Sequence, residues 1–321
     1  MPETGSTREL GPVPDGPVLV IGSTGFVGRA ATESLRELGR KVVGASTTGH
    51  DSDLACDIRI PESVDRVLVA VRPAAVILAA GIASVTESWE DPAGAFTANT
   101  AGAFNLLDGT RRLAPSSQIV IASSAGVYGA PGPSGSSPFR EDSPVRPASP
   151  YAASKAAAEV LCHQFTRQAG LTVTICRMFN QVGPGQGAAQ APAEFSREIA
   201  LAEKRGDAGL RLTVGDPRTA RDFTDVRDTG RALAGLIEAR APGVFNLCSG
   251  NPASLAEIAG ILSERTRIDV ELGTDPARSR KADILSVHGS SSKVREAIGW
   301  RPEIPLERSL ADLLDDWRNR V

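Results

Sequence analysis

Apolar residues reach this chain as short unbroken runs that alternate with stretches of helical spacing. Val18-Leu19-Val20-Ile21 suits a strand buried on both faces, and it runs directly into Gly22-Ser23-Thr24-Gly25-Phe26-Val27-Gly28. Phe26, Val27, Ala30, Ala31, Leu35 and Leu38 then recur at helical spacing, so the pattern predicts strand, tight turn and helix. Gly39 ends that helix, Lys41 to Ala45 predicts a second strand, and a short strand follows that ends near Cys56. Val64, Val67, Leu68 and Val71 predict a helix, and Ala75-Val76-Ile77-Leu78-Ala79-Ala80-Gly81 a buried strand with small residues at its exit. Ala95, Phe96, Asn99, Ala103, Leu106 and Leu107 mark a long helix with Asn99 polar among apolar neighbours, and Gln118 to Ala122 is the next strand. Unbroken alternation of this kind implies parallel strands joined by right-handed crossovers, an α/β doubly wound (Rossmann) sheet.

Beyond it, Ser123-Ser124-Ala125-Gly126-Val127-Tyr128-Gly129 leaves the fifth strand, a Pro- and Gly-rich loop spans Ala130 to Pro150, and Tyr151-Ala152-Ala153-Ser154-Lys155 opens a helix. Phe195, Ile199 and Leu201 belong to a further helix, Leu210, Leu212 and Val214 alternate as a strand, Arg231 to Ala239 is helical, and Val244 to Leu247 returns as a strand. Ser254 with Glu257 three residues on reads as a capping box, and Leu306, Leu310, Leu313, Leu314 and Trp317 form the stripe of a closing amphipathic helix. The expected organisation is a disordered leader over 1–16 and a dinucleotide-binding domain over 17–180 to which 219–250 return. Residues 181–218 and 251–321 are expected to form a smaller α/β substrate-binding domain.

Composition narrows the function classes. With 35 Lys and Arg against 38 Asp and Glu there is no global positive field to hold nucleic acid. No apolar run is long enough for a bilayer, so a soluble protein without a membrane partner is expected. Cys56, Cys162, Cys176 and Cys248 are scattered singly, which suits reduced, mostly buried thiols in the cytoplasm, and His50, His163 and His288 lack ligand spacing, so no metal site is assigned.

Candidate chemistry clusters where strands end. In Gly22, Gly25 and Gly28 the first glycine permits the turn, the second admits a pyrophosphate to the backbone, and the third lets helix and strand pack closely. At the end of the second strand, where NAD enzymes place a carboxylate on the ribose hydroxyls, stand Ala45, Ser46 and Thr47. Their neutrality favours NADPH or tolerance of both cofactors, NAD remaining possible, although no arginine follows to clamp a 2′-phosphate. Asp57 stands where such folds hydrogen-bond the adenine amino group, or else it is a turn residue ahead of a helix. Tyr151 and Lys155 share one helix face, and an ammonium near a phenol is expected to lower its pKa from about 10, making Tyr151 a general acid or base. Ser124 can hydrogen-bond the same substrate oxygen.

Taken together, these residues resemble an extended short-chain dehydrogenase/reductase acting on nucleotide sugars, over essentially residues 17 to 319. Leu78-Ala79-Ala80, Asn99, Ser124 four residues before Tyr128, and Tyr151 with Lys155 fall in that family's order and spacing. Arg177-Met178-Phe179-Asn180-Gln181-Val182-Gly183-Pro184-Gly185-Gln186, Val214-Gly215-Asp216, Arg221 to Asp228, Phe245 to Gly250, and Asp275-Pro276 with Arg280 are most similar to the GDP-4-keto-6-deoxymannose reductases and their relatives. The resemblance implies that Ser124, Tyr151 and Lys155 are catalytic. It implies a cofactor bound by Gly22, Thr24, Gly25, Phe26, Val27, Gly28, Ser46, Asp57, Ile58, Ala79, Ala80, Gly81, Asn99, Tyr151, Lys155 and Met178. It implies a nucleotide-diphosphate sugar held by Ser84, Ser124, Asn180, Arg221 and Arg280, with an ion pair to Asp222 or Asp225 as the structural reading of Arg221. Gln181 stands where relatives often carry histidine, and Lys281 where they tend to carry proline.

Related 4,6-dehydratases carry an acid soon after the catalytic hydroxyl, whereas this chain has Ala125 and Gly126, which disfavours dehydration. Reduction of a keto sugar and epimerisation through transient oxidation remain, and the missing acid after the second strand tips the expectation to NADPH-dependent reduction of a nucleotide-linked 4-keto-6-deoxyhexose. A non-catalytic dinucleotide sensor is the reading from another class, and an intact Ser124, Tyr151 and Lys155 argues against it. The helices around 93–113 and 151–169, with Ala156, Ala157, Val160 and Leu161, would permit a homodimer or simply face the sheet.

Overall fold

The computed structural model describes residues 15–49, 53–131, 138–275, 277 and 285–321. The expected leader and Arg280, Lys281 and His50 lie outside the described residues, apart from Asp15 and Gly16. In chain order the strands of the main sheet are β1 (Val18–Ile21), β2 (Val42–Ser46), β3 (Leu54–Ala55), β4 (Ala75–Leu78), β5 (Gln118–Ser124) and β6 (Thr172–Met178). The helices between them are α1 (Phe26–Glu37), α2 (Pro61–Val71), α3 (Val85–Glu90), α4 (Pro92–Phe96), α5 (Gly102–Leu113) and α6 (Pro150–Ala169). Then follow β7 (Asn180–Val182), α7 (Ala191–Arg205), β8 (Gly209–Val214), β9 (Ala220–Asp225), α8 (Val226–Glu238) and β10 (Gly243–Leu247). The chain closes with β11 (Pro252–Ser254), α9 (Leu255–Ser263), β12 (Asp269–Thr274), β13 (Ser286–Val287), α10 (Ser292–Ile298) and α11 (Leu306–Arg320).

Seven strands form the main sheet in the order β10-β6-β5-β4-β1-β2-β3, every neighbouring pair parallel. The chain leaves β1 toward β2 and β3, then crosses back to β4, so the order reverses beside β1. In such a sheet the crevice outside the strands' carboxyl ends at that switch point is the natural ligand site. Period-two alternation divides the apolar runs between two cores. Leu19, Ile21, Val76, Leu78, Ile119 and Ile121 pack on one face against α2, α5 and α6 residues such as Leu68, Leu106 and Phe165. Val18, Val20, Ala75, Ile77 and Val120 pack on the other against Leu35 of α1 and Leu233 and Leu236 of α8. Leu38, expected on the buried stripe of α1, is instead its exposed C-cap, because the helix ends one residue earlier.

A third core joins Phe195 and Ile199 of α7, Ile258 and Leu262 of α9, and Leu310, Leu313, Leu314 and Trp317 of α11. β9 there pairs with β7, β11 and β13, and β8 pairs with β12. Ser254 caps α9 in a full capping box with Glu257. All four cysteines are buried free thiols, and among the described residues no helix is long and apolar enough to cross a membrane.

Candidate active site

The glycine-rich turn is shaped by steric limits. Gly22 adopts φ 91°, and a Cβ there would lie 2.5 Å from the Ala80 nitrogen, so only glycine lets β1 pass the exit of β4 this closely. A Cβ on Gly28 would lie 2.0 Å from the Gly22 oxygen, which is why α1 can start directly over the turn. Gly25 is the N-cap of α1, with no capping side chain and no acidic residue in the first turn. The helix-start N–H groups, flanked by exposed Thr24 and half-buried Phe26 and Val27, are therefore free to take an anion. Half-buried Ala79 and Ala80 and exposed Gly81 floor the crevice beside them.

On the β2 side the expected residues have other local duties. Buried Ser46 accepts from Gly49 N at 3.2 Å. Asp57 is held by Arg59, whose Nη2 donates at 2.7 Å, and this pairing keeps its carboxyl below the usual range. Ile58 is buried, its side chain lying under Gly102 and its carbonyl accepting from Asn105 Nδ2 at 2.8 Å. A carboxylate that the strand pattern does not signal does arrive here. Asp53, one residue before β3, accepts a hydrogen bond from Ser23 Oγ inside the glycine-rich turn.

The catalytic candidates meet at the carboxyl edge of β5. Ser124 ends that strand opposite Met178 of β6 and accepts from Gly126 N at 3.0 Å, and a Cβ on Gly126 would meet both its Oγ and the Tyr151 ring, so serine and tyrosine stand side by side. Tyr151 and Lys155 are both half-buried on the first turns of α6, which Ser149 caps and Pro150 starts. The Lys155 ammonium donates to the Ala122 carbonyl at 2.8 Å. Contrary to the expectation from spacing alone, the phenol's pKa is raised, because burial outweighs the opposing influence of the neighbouring Ser124 hydroxyl. Burial pushes Lys155 down to about 8, with Glu159 one turn further along pulling it back up.

Asn99 completes the group from a π-helical turn over Thr97–Ala101, a distortion that often marks functional sites. Its Nδ2 donates to the Ile82 carbonyl at 3.0 Å and to Ser154 Oγ at 2.9 Å. Its buried Oδ1 has no hydrogen-bond partner among the described residues and lies over Gly81, where a Cβ would sit 2.3 Å from that oxygen and 3.7 Å from Lys155 Nζ. An unfilled acceptor beside an ammonium, at the floor of the crevice, fits the hydroxyls of a dinucleotide ribose.

Behind these groups lies a pair that the motif spacing did not single out. Glu159 of α6 and Arg177 of β6 are both almost fully buried and bridge at 2.7 Å. Ser123 Oγ donates to Glu159 at 2.5 Å, and Arg177 Nη1 donates to Tyr128 OH and to the Glu141 carbonyl, each at 3.0 Å. The signal in the sequence was a carboxylate four residues after Lys155, on the same face as the lysine.

The substrate-side candidates sit on separate elements. Ser84 caps α3, its hydroxyl accepting from Glu87 N at 3.1 Å. Asn180 opens β7 opposite Phe223 of β9, and Arg221, on β9, donates to the Ala220 carbonyl at 2.8 Å. Asp222 accepts from Ser249 N at 2.8 Å, Gly250 N at 2.9 Å and Gly289 N at 3.1 Å, and Asp225 pairs with Arg227 at 2.8 Å. Asp222 thus braces the loops after β10 and β13, while Asp225 caps α8 and also accepts from Ser309 of α11. Gln181 is buried, donating to the Phe179 carbonyl and accepting from Thr229.

Known proteins resemble this chain in sequence and fold. GDP-6-deoxy-D-mannose reductase of Pseudomonas aeruginosa is 38% identical over 250 residues, 78% of this chain and 82% of the relative. The structure of RMD from Pseudomonas aeruginosa complexed with NADPH superposes with a TM-score of 0.84 at 33% identity, covering 95% of this chain and 100% of that one. UDP-glucose 4-epimerase of Thermus thermophilus in complex with NAD reaches a TM-score of 0.82 at 28% identity, with coverages of 95% and 100%. The family model for the NAD dependent epimerase/dehydratase family matches residues 18–248. With glycine-rich turn, serine, tyrosine and lysine gathered at one sheet edge, this chain belongs to the NAD dependent epimerase/dehydratase family.

Proposed function

We propose that this chain reduces a nucleotide-linked 4-keto-6-deoxyhexose to a nucleotide 6-deoxy sugar, using a reduced nicotinamide dinucleotide. The observation that carries the reading is Ser124 standing beside the Tyr151 ring, with Ala125 and Gly126 next to them. The pair provides one proton donor and its orienting hydroxyl, with no carboxylate at the adjacent positions to work on sugar carbons five and six. A Cβ on Gly126 would sit 3.2 Å from Ser124 Oγ, a tight contact, and 3.9 Å from the Tyr151 ring, an ordinary one, so an acid there would press on the serine. The 38% identity to a reductase of a GDP-linked 6-deoxy sugar supports the same substrate class.

When bound, the cofactor supplies hydride to the keto carbon. The N–H groups at the start of α1 take its diphosphate, Asn99 Oδ1 and Lys155 Nζ take ribose hydroxyls, and Ala79, Ala80 and Gly81 let it lie against the sheet edge. Ala45, Ser46 and Thr47 leave β2 itself without a charge against the 2′-phosphate of NADPH, the dinucleotide with which the Pseudomonas neighbour is complexed. A raised phenol pKa keeps Tyr151 protonated near neutral pH, the form reduction needs. Tyr151 passes its proton to the oxygen that becomes the new hydroxyl, and Ser124 holds that oxygen in line. The Lys155 cation stabilises the phenolate left behind. Ser84, Asn180, Arg221 and Arg280 are assigned to the sugar nucleotide, the arginines to its diphosphate.

Buried free thiols suit a reducing cytoplasm. Exposed Phe96, Phe104 and Val160, on the packed helices α4, α5 and α6, support a homodimer through that face. Sedimentation of wild type as a dimer and of Val160→Glu as a monomer is the expected result.

The test of function is to follow nicotinamide absorbance with NADPH or NADH and an enzymatically generated GDP- or dTDP-4-keto-6-deoxyhexose. Stoichiometric oxidation with a reduced sugar nucleotide as product is expected. Tightly held NAD, no net consumption and interconversion of two sugar nucleotides would replace reduction with epimerisation.

A further inference from the structure

The acid absent from the end of β2 has a substitute that comes from further along the chain. Asp53 lies in the connection between β2 and β3, directly before Leu54, which pairs with Ala45. Its carboxylate folds back over β2 onto Ser23 Oγ, whose single hydrogen it shares with the Ala45 carbonyl at 3.2 Å. Gly44 is what admits it. A Cβ at Gly44 would sit 1.9 Å from Asp53 Oδ1, 2.6 Å from its Cγ and 2.9 Å from Ser23 Oγ. A negative charge thus stands between the glycine-rich turn and the carboxyl end of β2, the corner that holds the adenosine ribose in a sheet of this kind.

We propose that Asp53 is the residue through which this chain discriminates against the 2′-phosphate of NADPH, supplying from the β2–β3 connection the carboxylate that β2 itself lacks. The inference rests on the cofactor part of the reading above and not on the identity of the sugar. A carboxylate accepts hydrogen bonds from the 2′- and 3′-hydroxyls of NADH. A 2′-phosphate in the same corner brings a dianion against it, and like charges a few ångströms apart in a half-buried site repel strongly. The neutral residues Ala45, Ser46 and Thr47 leave the choice to Asp53, so NADPH is used against this repulsion and NADH remains usable.

Binding, not turnover, tests this. Dissociation constants of NADH and NADPH, and of their fragments ADP and 2′,5′-ADP, are measured by calorimetry on wild type, Asp53→Asn and Gly44→Ala. The first variant removes the charge, and the second keeps it but forces the carboxylate out of its seat. Each is expected to lower the ratio of Kd for NADPH to Kd for NADH by about tenfold or more, about 1.4 kcal/mol. The fragment ratio should move in parallel, and raising salt should narrow the wild-type ratio. Because each ratio is taken within one protein sample, partial unfolding of a variant cancels. Tight binding of both dinucleotides with ratios unmoved beyond about twofold in both variants would overturn the role of Asp53 alone. Failure of wild type to bind either dinucleotide would overturn the cofactor reading and this inference with it.

Discussion

Removing one partner of the buried Glu159–Arg177 pair tests whether the pair supports both fold and site. Neither side chain is more than 5% exposed. Arg177 gives Glu159 three contacts, at 2.7, 3.1 and 3.2 Å, and Ser123 gives it another at 2.5 Å. Glu159→Gln leaves the guanidinium buried without its counter-charge, which costs roughly 3–5 kcal/mol. Arg177→Met strands the carboxylate and costs a similar amount, while Glu159→Gln with Arg177→Met removes both charges. The double variant should therefore be destabilised by much less than the sum of the singles, with a coupling of about 1–3 kcal/mol. Urea denaturation followed by circular dichroism measures this, since the midpoint reports stability at constant slope. Glu159 also supports the Lys155 ammonium from one turn away, so Glu159→Gln should move the lysine below about 8. The basic limb of the activity profile should then fall at lower pH than in wild type. Singles that each cost under about 1 kcal/mol, or costs that simply add, would refute the argument that the pair acts as a unit.

Other outcomes follow from the same geometry. Tyr151→Phe should lose about 10²–10⁴-fold in turnover while dinucleotide affinity stays unchanged, a result that would sink the sensor reading. Lys155 is held at about 8 in the folded chain against an ordinary 10.5, so between those values the unfolded chain binds more protons and wild-type stability rises with pH. Lys155→Met should lack that rise, gaining relative to wild type below pH 8, which thermal unfolding across the window would reveal. Gly22→Ala places a Cβ 2.5 Å from the Ala80 nitrogen at φ 91°, and should lower stability by about 1–3 kcal/mol and weaken dinucleotide binding in calorimetry.

Much of this protein was determined locally and could be read without coordinates. Runs such as Val18 to Ile21 and Ala75 to Leu78 have no polar face, so they belong inside a sheet covered on both sides, and helical spacing between them leaves only parallel crossovers. Tyr151 and Lys155 sit one turn apart on any helix, and the stripe from Leu310 to Trp317 faces a core because nothing else would cover it. Tertiary structure decided what depends on contacts between distant residues. The pKa of Tyr151 moves up because burial, which spacing does not reveal, outweighs its neighbours. Asp57, Ser46 and Ser84 are drawn into local hydrogen bonds with Arg59, Gly49 and Glu87, which compete for the same side chains as any ligand. Asp53 reaches Ser23 across 30 residues and Arg177 reaches Glu159 across 18. Periodicity and propensity carry no term for such pairings, because they form only once the sheet has brought the strand ends together.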